Sequence, residues 1–381
     1  MTDFQPPSTT AAAKSVDISE IPIYISDISE EHNIYRFTLK GLDTSIANSI
    51  RRTILNDIPT LVFDPANIRI ETNTSRLHNE IMKHRLSCIP IHMNEPDTLL
   101  DKYQLVVDVK NETEDILYVT TEDFAIQNKE NGNFLKKEEQ HRIFPPNQRT
   151  HYFIDFGRLR PKIGDLPGEH LKLTADFAIK TAADDATYNV VSKCSYANTL
   201  DHTKITEIKD ALESKLKSEG VSQPEIDFQV KNYMLLDARR NFIANSFDFV
   251  IKTIGVYENK ELVKKACIIL QNKYVRFIEA IDSDTLSILN SEVSFENSYD
   301  VKLENEDYTV GTVLEYILYE KFFYGEKTLT FCGFKKIHPH DNHSIIRLAY
   351  ADKIDKSVVK QNLRLACIEG QEIYRKIYKL F

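Results

Sequence analysis

The chain has 381 residues, 42% of them hydrophobic and 28% charged, with a formal net charge of -9. That length suits two or three ordinary soluble domains, and the acidic balance argues against a protein that holds nucleic acid by neutralising phosphates. No apolar run approaches the roughly 20 residues of a membrane helix, no secretory leader is visible, and Cys88, Cys194, Cys267, Cys332 and Cys367 form no CxxC pair to seed a zinc or redox site.

Residues 1–17 (MTDFQPPSTTAAAKSVD) lack apolar periodicity and read as a flexible tail. IPIYIS (21–26) and IYRFTL (34–39) are β-branched and aromatic runs, hence strands. Gly41 breaks the second run, and Asp43 then caps a helix through SIANSIRRTILND. Ile46, Ala47, Ile50 and Ile54 fall on one face of it, and Pro59 bounds it. Strand patterns follow at Leu61–Phe63 and Ile68–Glu71.

From residue 93 to 200, short alternating runs such as YQLVVDVKN and HLKLTADFAIK are separated by Asn, Gly and Pro clusters, which predicts a β-rich insert. KITEIKDALESKLKSE (204–219) has helical spacing. FDFVIKTIGV (247–256) returns to strand character, and a long helix is predicted over 258–281 with Leu262, Val263, Ala266, Ile269, Leu270 and Tyr274 on one side. After a connector at 282–292 come strands near Ser294–Phe295 and Val301–Leu303. A helix from Thr309 to about Tyr324 follows, with Val310, Val313, Leu314 and Ile317 as its apolar residues. Strands TLTFCGF and SIIRLAY and a final helix over 353–380 complete the chain.

A weak internal repeat links the two ends. With Ile46 placed over Val310, Asp43 meets Asp307, Ser45 meets Thr309, Ala47 meets Gly311 and Ile50 meets Leu314. In both copies a strand leads into an acidic residue, a hydroxyl residue and a helix with a small residue in its first turn.

Little catalytic chemistry stands out. His338, His340 and His343 could ligate a metal, but a Pro-containing loop fixes no ligand geometry, and solvated loop histidines are the simpler reading. His78, Glu80 and His84 lack HExxH spacing, and no phosphate loop, GxGxxG or GxSxG is present. Arg51 and Arg52 sit mid-helix beside the apolar stripe in a chain short of basic clusters. A solvated helix face is the plain reading of this pair, and a docking contact with a partner's carboxylates or carbonyls is the functional one.

Four stretches carry a family resemblance. GLDTSIANSIRRTILNDIPTLVFD and NTSRLHNEIMKHRLSCIPIH resemble consecutive blocks of bacterial alpha, its archaeal counterpart and subunit three of RNA polymerase II, the second through His84, Arg85, Leu86, Ile89 and Pro90. ENEDYTVGTVLEYILYEKFFYGEKTLTFCGFKKIHPHDNHSIIRLAY is similar to subunit eleven and its own archaeal counterpart, through Glu306, Asp307, Thr309, Gly311, Gly333, Phe334, His338 and Pro339. PGEHLKLTADFAIKTAADDATYNVVSKCSY resembles the insert domain of subunit three. The departures are Thr312 for the usual Asn, Ser87 and Cys88 for Gly-Leu, an insert without the family's zinc-binding cysteines, and a stretch at 201–240 that does not align.

The resemblance implies an α+β fold of two alpha-like dimerisation units packed through helices, with a β-rich insert in the first. The expected divisions are 18–92 with 241–286, the insert at 93–240, and 287–381. It implies a non-catalytic assembly platform whose partners are the second-largest and largest polymerase subunits and small accessory subunits, and which meets DNA only through the complex. The absence of paired cysteines leads us to expect no zinc, iron–sulfur cluster or other cofactor. Arg51 and Arg52, the second more strongly, fall where alpha-like subunits meet the second-largest subunit. Ile46, Ile50, Ile54, Leu262, Ile269, Val310, Val313, Leu314 and Ile317 are the expected dimerisation residues. Fusion on one chain and an Asn-, Lys- and Ile-rich composition resemble large cytoplasmic DNA viruses. They imply host cytoplasm and virion for a viral protein, and the nucleus for a cellular one. The alternative is a metal-dependent enzyme built on residues 338–343.

Overall fold

The computed structural model describes residues 21–93, 95–291 and 297–381. The 1–17 tail and the strand expected at Ser294–Phe295 lie outside them.

Strands β1 (Tyr24–Glu31) and β2 (Ile34–Lys40) form an antiparallel hairpin. Alternate residues of β2, namely Tyr35, Phe37 and Leu39, are buried, as a half-covered pleated strand requires. Gly41 ends the strand at φ 83°, where a Cβ would stand 2.3 Å from the carbonyl oxygen of Pro22, so only glycine fits. Helix α1 (Thr44–Asn56) follows and buries Ile46, Ala47, Ile50 and Ile54 on one face, as the spacing predicts.

Next come β3 (Thr60–Asn73), α2 (Asn79–Ser87), β4 (Tyr103–Lys110), β5 (Leu117–Thr120), β6 (Ala125–Asn128), α3 (Lys137–Ile143), β7 (Asp155–Leu159) and β8 (His170–Lys180). The two strand patterns expected at Leu61–Phe63 and Ile68–Glu71 are one strand, β3, whose register against β8 shifts between Phe63 and Ile68. The chain continues through β9 (Val191–Leu200), α4 (His202–Ser218), α5 (Gln223–Leu235), β10 (Phe242–Thr253) and α6 (Asn259–Asp282). Residues 201–240, expected in the β-rich insert, are thus mainly a pair of helices.

The remaining elements are β11 (Ile288–Asn290), β12 (Ser298–Glu304), α7 (Tyr308–Leu318), β13 (Leu329–Lys335), β14 (His343–Tyr350) and α8 (Lys356–Tyr378). The predicted 309–324 helix is α-helical only to Leu318 and continues as a π-helical turn over Tyr319–Gly325. The predicted connector at 282–292 contains β11. Among the described residues no helix is long and apolar enough to cross a membrane.

By packing, the chain divides into two compact units. One holds the residues up to Thr53, Ser195–Val250 and Ala266–Phe381, and the other holds Ile54–Cys194 and Ile251–Lys265. These cuts fall elsewhere than at the expected residues 92, 240 and 286.

The second unit is built on a sheet in the order β3-β8-β4-β6, with a β5-β7 ribbon beside it. Leu171, Leu173, Ala175 and Phe177 alternate along β8 into a core that includes Phe63, Leu105, Val107, Phe124 and Phe156. Helix α2 adds Met82 and Leu86 to this core, and Arg85 donates to the carbonyls of Asp155 and Phe156, both at 2.8 Å.

The first unit contains the repeat. One sheet runs β1-β2-β10-β9 and the other β11-β12-β14-β13, the same order with the same connectivity. Each has a helix after its second strand (α1, α7) and a longer helix after its fourth (α6, α8). The correspondence reaches single backbone torsions. Asn33 (φ 62°) matches Asn297 (φ 53°), and Gly41 (φ 83°) matches Asn305 (φ 56°). Gly41 N–H donates to the Asn245 carbonyl at 2.8 Å and Asn305 N–H to the Asn342 carbonyl at 2.6 Å.

Candidate functional site

The chain's distinctive chemistry lies where the helices of the two copies meet, and capping builds it. Asp43 Oδ1 accepts from the Ser45 N–H at 2.7 Å and the Ser45 hydroxyl at 2.6 Å. Asp307 Oδ1 accepts from the Thr309 N–H at 2.8 Å. Each aspartate satisfies an N–H that a helix start leaves without an intrahelical partner.

The two copies are joined by side chains from one to the other. Arg52 donates Nε to Thr309 Oγ1 at 2.9 Å and Nη2 to the Asp307 carboxylate, reaching from α1 to the α7 cap. Burial raises the Asp307 carboxyl, but the hydrogen bonds from Thr309 and the charge and hydrogen bond of Arg52 together outweigh it, so the group titrates below its ordinary range. Deeper in, the Ser49 and Tyr374 hydroxyls are 2.6 Å apart in a buried hydrogen bond between α1 and α8. Tyr274 of α6 stacks on Tyr374 with ring centroids 5.9 Å apart. Gly370 lets that ring approach, because a Cβ there would lie 2.8 Å from the Tyr274 ring. Lys273 of α6 pairs with Glu306 at 3.3 Å. Cys267 and Cys367 are buried in this layer, and burial pushes both thiols up to about 12, leaving them unreactive.

Of the expected dimerisation residues, Ile46, Ile50, Ile54, Leu262, Val310, Val313, Leu314 and Ile317 are fully buried, and Ile269 is half-buried. Leu270 and Tyr274, on the same face of α6, are the more enclosed positions. The two arginines part company. Arg52 is turned inward onto the second copy. Arg51 lies half-exposed, with Nε and Nη2 donating to Asn48 Oδ1 at 3.1 and 2.9 Å. The Arg52 contacts could have been anticipated from the repeat, since it aligns two capped helix starts and the arginine sits a little over two turns beyond the first.

The histidine loop offers no metal geometry. His338 Nδ1 accepts from the His340 N–H at 3.2 Å, and the two rings stack at 5.2 Å. Among the described residues no group of three or more His, Cys, Asp or Glu is placed to hold a metal ion. In the second unit, a cleft of about 690 Å³ is lined by Met93, Leu99, Tyr103, Ile143 and Val256. His92 also lines it, and burial lowers the pKa of its imidazole, with Gly255 hydrogen-bonding in the opposite sense. Among the described residues no nucleophile and base converge there.

Comparison with known proteins gives the family of the chain. Residues 36–274 match the RNA polymerase Rpb3/Rpb11 dimerisation domain. The chain is 23% identical over 299 residues to subunit RPAC1 of bovine (Bos taurus) DNA-directed RNA polymerases I and III, covering 66% of this chain and 83% of that one. It is 35% identical over 101 residues to RNA polymerase subunit Rpo3 of Pyrococcus furiosus, covering 25% of this chain and 38% of the relative. It is 38% identical over 79 residues to RNA polymerase II subunit RPB3 of Schizosaccharomyces pombe, covering 21% and 25%. The match spans well over half of the chain, which therefore belongs to the Rpb3/Rpb11 dimerisation family, the alpha-like, non-catalytic subunits of multisubunit DNA-directed RNA polymerases.

Proposed function

We propose that this chain carries two alpha-like subunits fused in one polypeptide and acts as the platform on which a DNA-directed RNA polymerase assembles. One observation carries the reading. A four-stranded sheet with two helices occurs twice, with the same strand order and matching left-handed turn residues, and side chains of the four helices meet. Burying each large apolar side chain contributes roughly 1.5–3 kcal/mol, so neither copy is expected to be stable with that layer in water. A tether replaces bimolecular pairing with an intramolecular one at about millimolar effective concentration. The functional divisions proposed are 18–92 with 241–286, and 287–381, as the two dimerisation units around the 93–240 insert, with β9 inside that insert completing the sheet of the first unit.

The proposed partners are the second-largest and largest polymerase subunits with small accessory subunits. Arg51 is the docking residue, because Asn48 orients its half-exposed guanidinium. Arg52 is assigned to the contact between copies. Affinity purification of the tagged chain from its native cells, followed by mass spectrometry, should recover the two large subunits in near-stoichiometric amounts, and their absence would reject the platform. Segments 1–286 and 287–381 should be poorly soluble apart and co-purify when expressed together. Two well-behaved, non-interacting monomers would reject the fusion.

A further inference from the structure

The repeat has a broken symmetry. With Ile46 over Val310, Asn48 falls over Thr312, Arg51 over Glu315, Arg52 over Tyr316 and Leu55 over Tyr319. In one half, Arg52 crosses to the cap of α7 and engages both Asp307 and Thr309. In the other half, the equivalent cap, Asp43 with Ser45, faces Tyr316 instead of a guanidinium. A cleft of about 290 Å³ opens there, lined by Asp43, Ser45, Thr312, Glu315, Tyr316 and Tyr319.

We propose that this cleft receives an arginine side chain from a partner protein, as the unfilled counterpart of the position that Arg52 occupies in the other copy. Taking that partner to be another polymerase subunit rests on the platform reading above.

Charge complementarity favours a cation. Where the filled half has Arg51, this half has Glu315, so exchanging the copies replaces two guanidinium groups with one carboxylate and one phenol. Among the described residues, no Lys or Arg pairs with Asp43 or Glu315, and the hydrogen bonds of the Asp43 cap fall on Oδ1 alone. Burial raises the Glu315 carboxyl, with a backbone hydrogen bond from Phe334 acting the other way. That is how a half-buried carboxylate without a cation behaves. Tyr316 cannot compensate. Burial, then the charges of Asp43 and Glu320, push its phenol up to about 12, so it stays neutral.

The filled half also says which cation. Arg52 satisfies a carboxylate oxygen and a hydroxyl from one planar fork, and Asp43 with Ser45 presents the same pair of acceptor types. A lysine ammonium lacks that fork. Tyr316 and Tyr319 also line the cleft, and aromatic rings attract a guanidinium.

Two experiments on the full chain decide the matter. The first restores the symmetry. In Tyr316→Arg the new side chain should reach Asp43 as Arg52 reaches Asp307 and raise the melting temperature by about 1–3 °C. Combining it with Asp43→Asn, which keeps a good helix cap, should abolish the gain. No gain, or a gain that survives Asp43→Asn, overturns the proposal. The second places p-benzoylphenylalanine at Thr312 in the chain assembled with its native partners. Irradiation should yield one dominant cross-linked peptide that contains an arginine, and Asp43→Asn with Glu315→Gln should reduce its yield at least roughly tenfold. A cross-linked peptide without arginine, or no cross-link, overturns the proposal. An arginine peptide from a protein outside the polymerase upholds the cleft and refutes the platform reading. Failure of the wild-type chain to retain polymerase subunits refutes the platform reading alone.

Discussion

The two copies share a framework but differ in what their connections carry. In the second, α7 passes through one π-helical turn into β13, and the loop from β13 to β14 is short. In the first, the whole span from β3 to β8 lies between α1 and β9, and the α4–α5 pair lies between β9 and β10. Yet the strand order, the capped helix starts and the positive-φ residues coincide. Insertions are accepted where the chain leaves the ends of sheet and helix, while the layer of α1, α6, α7 and α8 keeps its apolar residues. The lesson is that the repeated object is the helical layer and its caps, and the rest is cargo on the loops.

The comparison breaks most severely if a charge enters that layer. Ile50→Asp and its counterpart Leu314→Asp should each cost at least about 4 kcal/mol, because both sites are fully buried and lack a partner for the charge. Denaturant unfolding or insoluble expression should show equal severity, and one mild variant would mean the copies are not equivalent. A finer contrast lies one turn earlier. Gly311→Ala puts a Cβ 2.0 Å from the Phe334 ring and should cost about 1–3 kcal/mol by chemical denaturation, whereas Ala47→Gly should cost only about 0.5–1 kcal/mol.

The caps sharpen the comparison further. Arg52→Ala should destabilise the chain by about 1–2 kcal/mol, since it removes a half-exposed charged pair and leaves Asp307 uncompensated. Asp307→Asn should lower the melting temperature, while Asp43→Asn should leave it nearly unchanged, because only the first aspartate holds a guanidinium. The Asp307 carboxyl lies below its ordinary range when folded. Its stabilisation is therefore complete above the unfolded value near 3.9 and fades as pH falls through the folded one. Acid titration of wild type should show that loss below about pH 4, and Arg52→Ala should flatten it. Smallest of all, His338→Gln should shift stability by less than about 0.5 kcal/mol and change no metal content, as measured by calorimetry and elemental analysis.

Much of this layer was legible in the sequence, for definite reasons. Helix α1 announced itself through Asp43, the Ile46–Ile54 spacing and Pro59, each of which acts locally. The repeat was visible because a cap requires the same residue types at both helix starts. Tertiary requirements hid the rest. Helix α2 was not anticipated, since of its buried residues Met82, Leu86 and Ser87 only two are apolar. Strand β3 looked like two strands because Asp64 and Pro65 interrupt its apolar run at the register shift. Arg52 looked like a docking residue because a charge beside an apolar stripe reads the same whether its acceptor lies in another protein or 257 residues further along the chain.

That separation governs how the molecule reaches its native state. The Arg52 contacts with Thr309 and Asp307 close a loop of more than 250 residues, whereas the β4, β6 and β8 pairings of the second unit close much shorter ones. Loop-closure entropy grows only logarithmically, by about 0.6 kcal/mol per doubling, so the intervening span costs the equilibrium little. Its effect is kinetic, because contacts between distant residues form late. The order of events that follows is a sheet built from nearer strands first, then closure of the helical layer. Until closure, the apolar faces of α1 and α7 stay open to a second nascent chain, so swapped pairs are the characteristic misassembly of this topology.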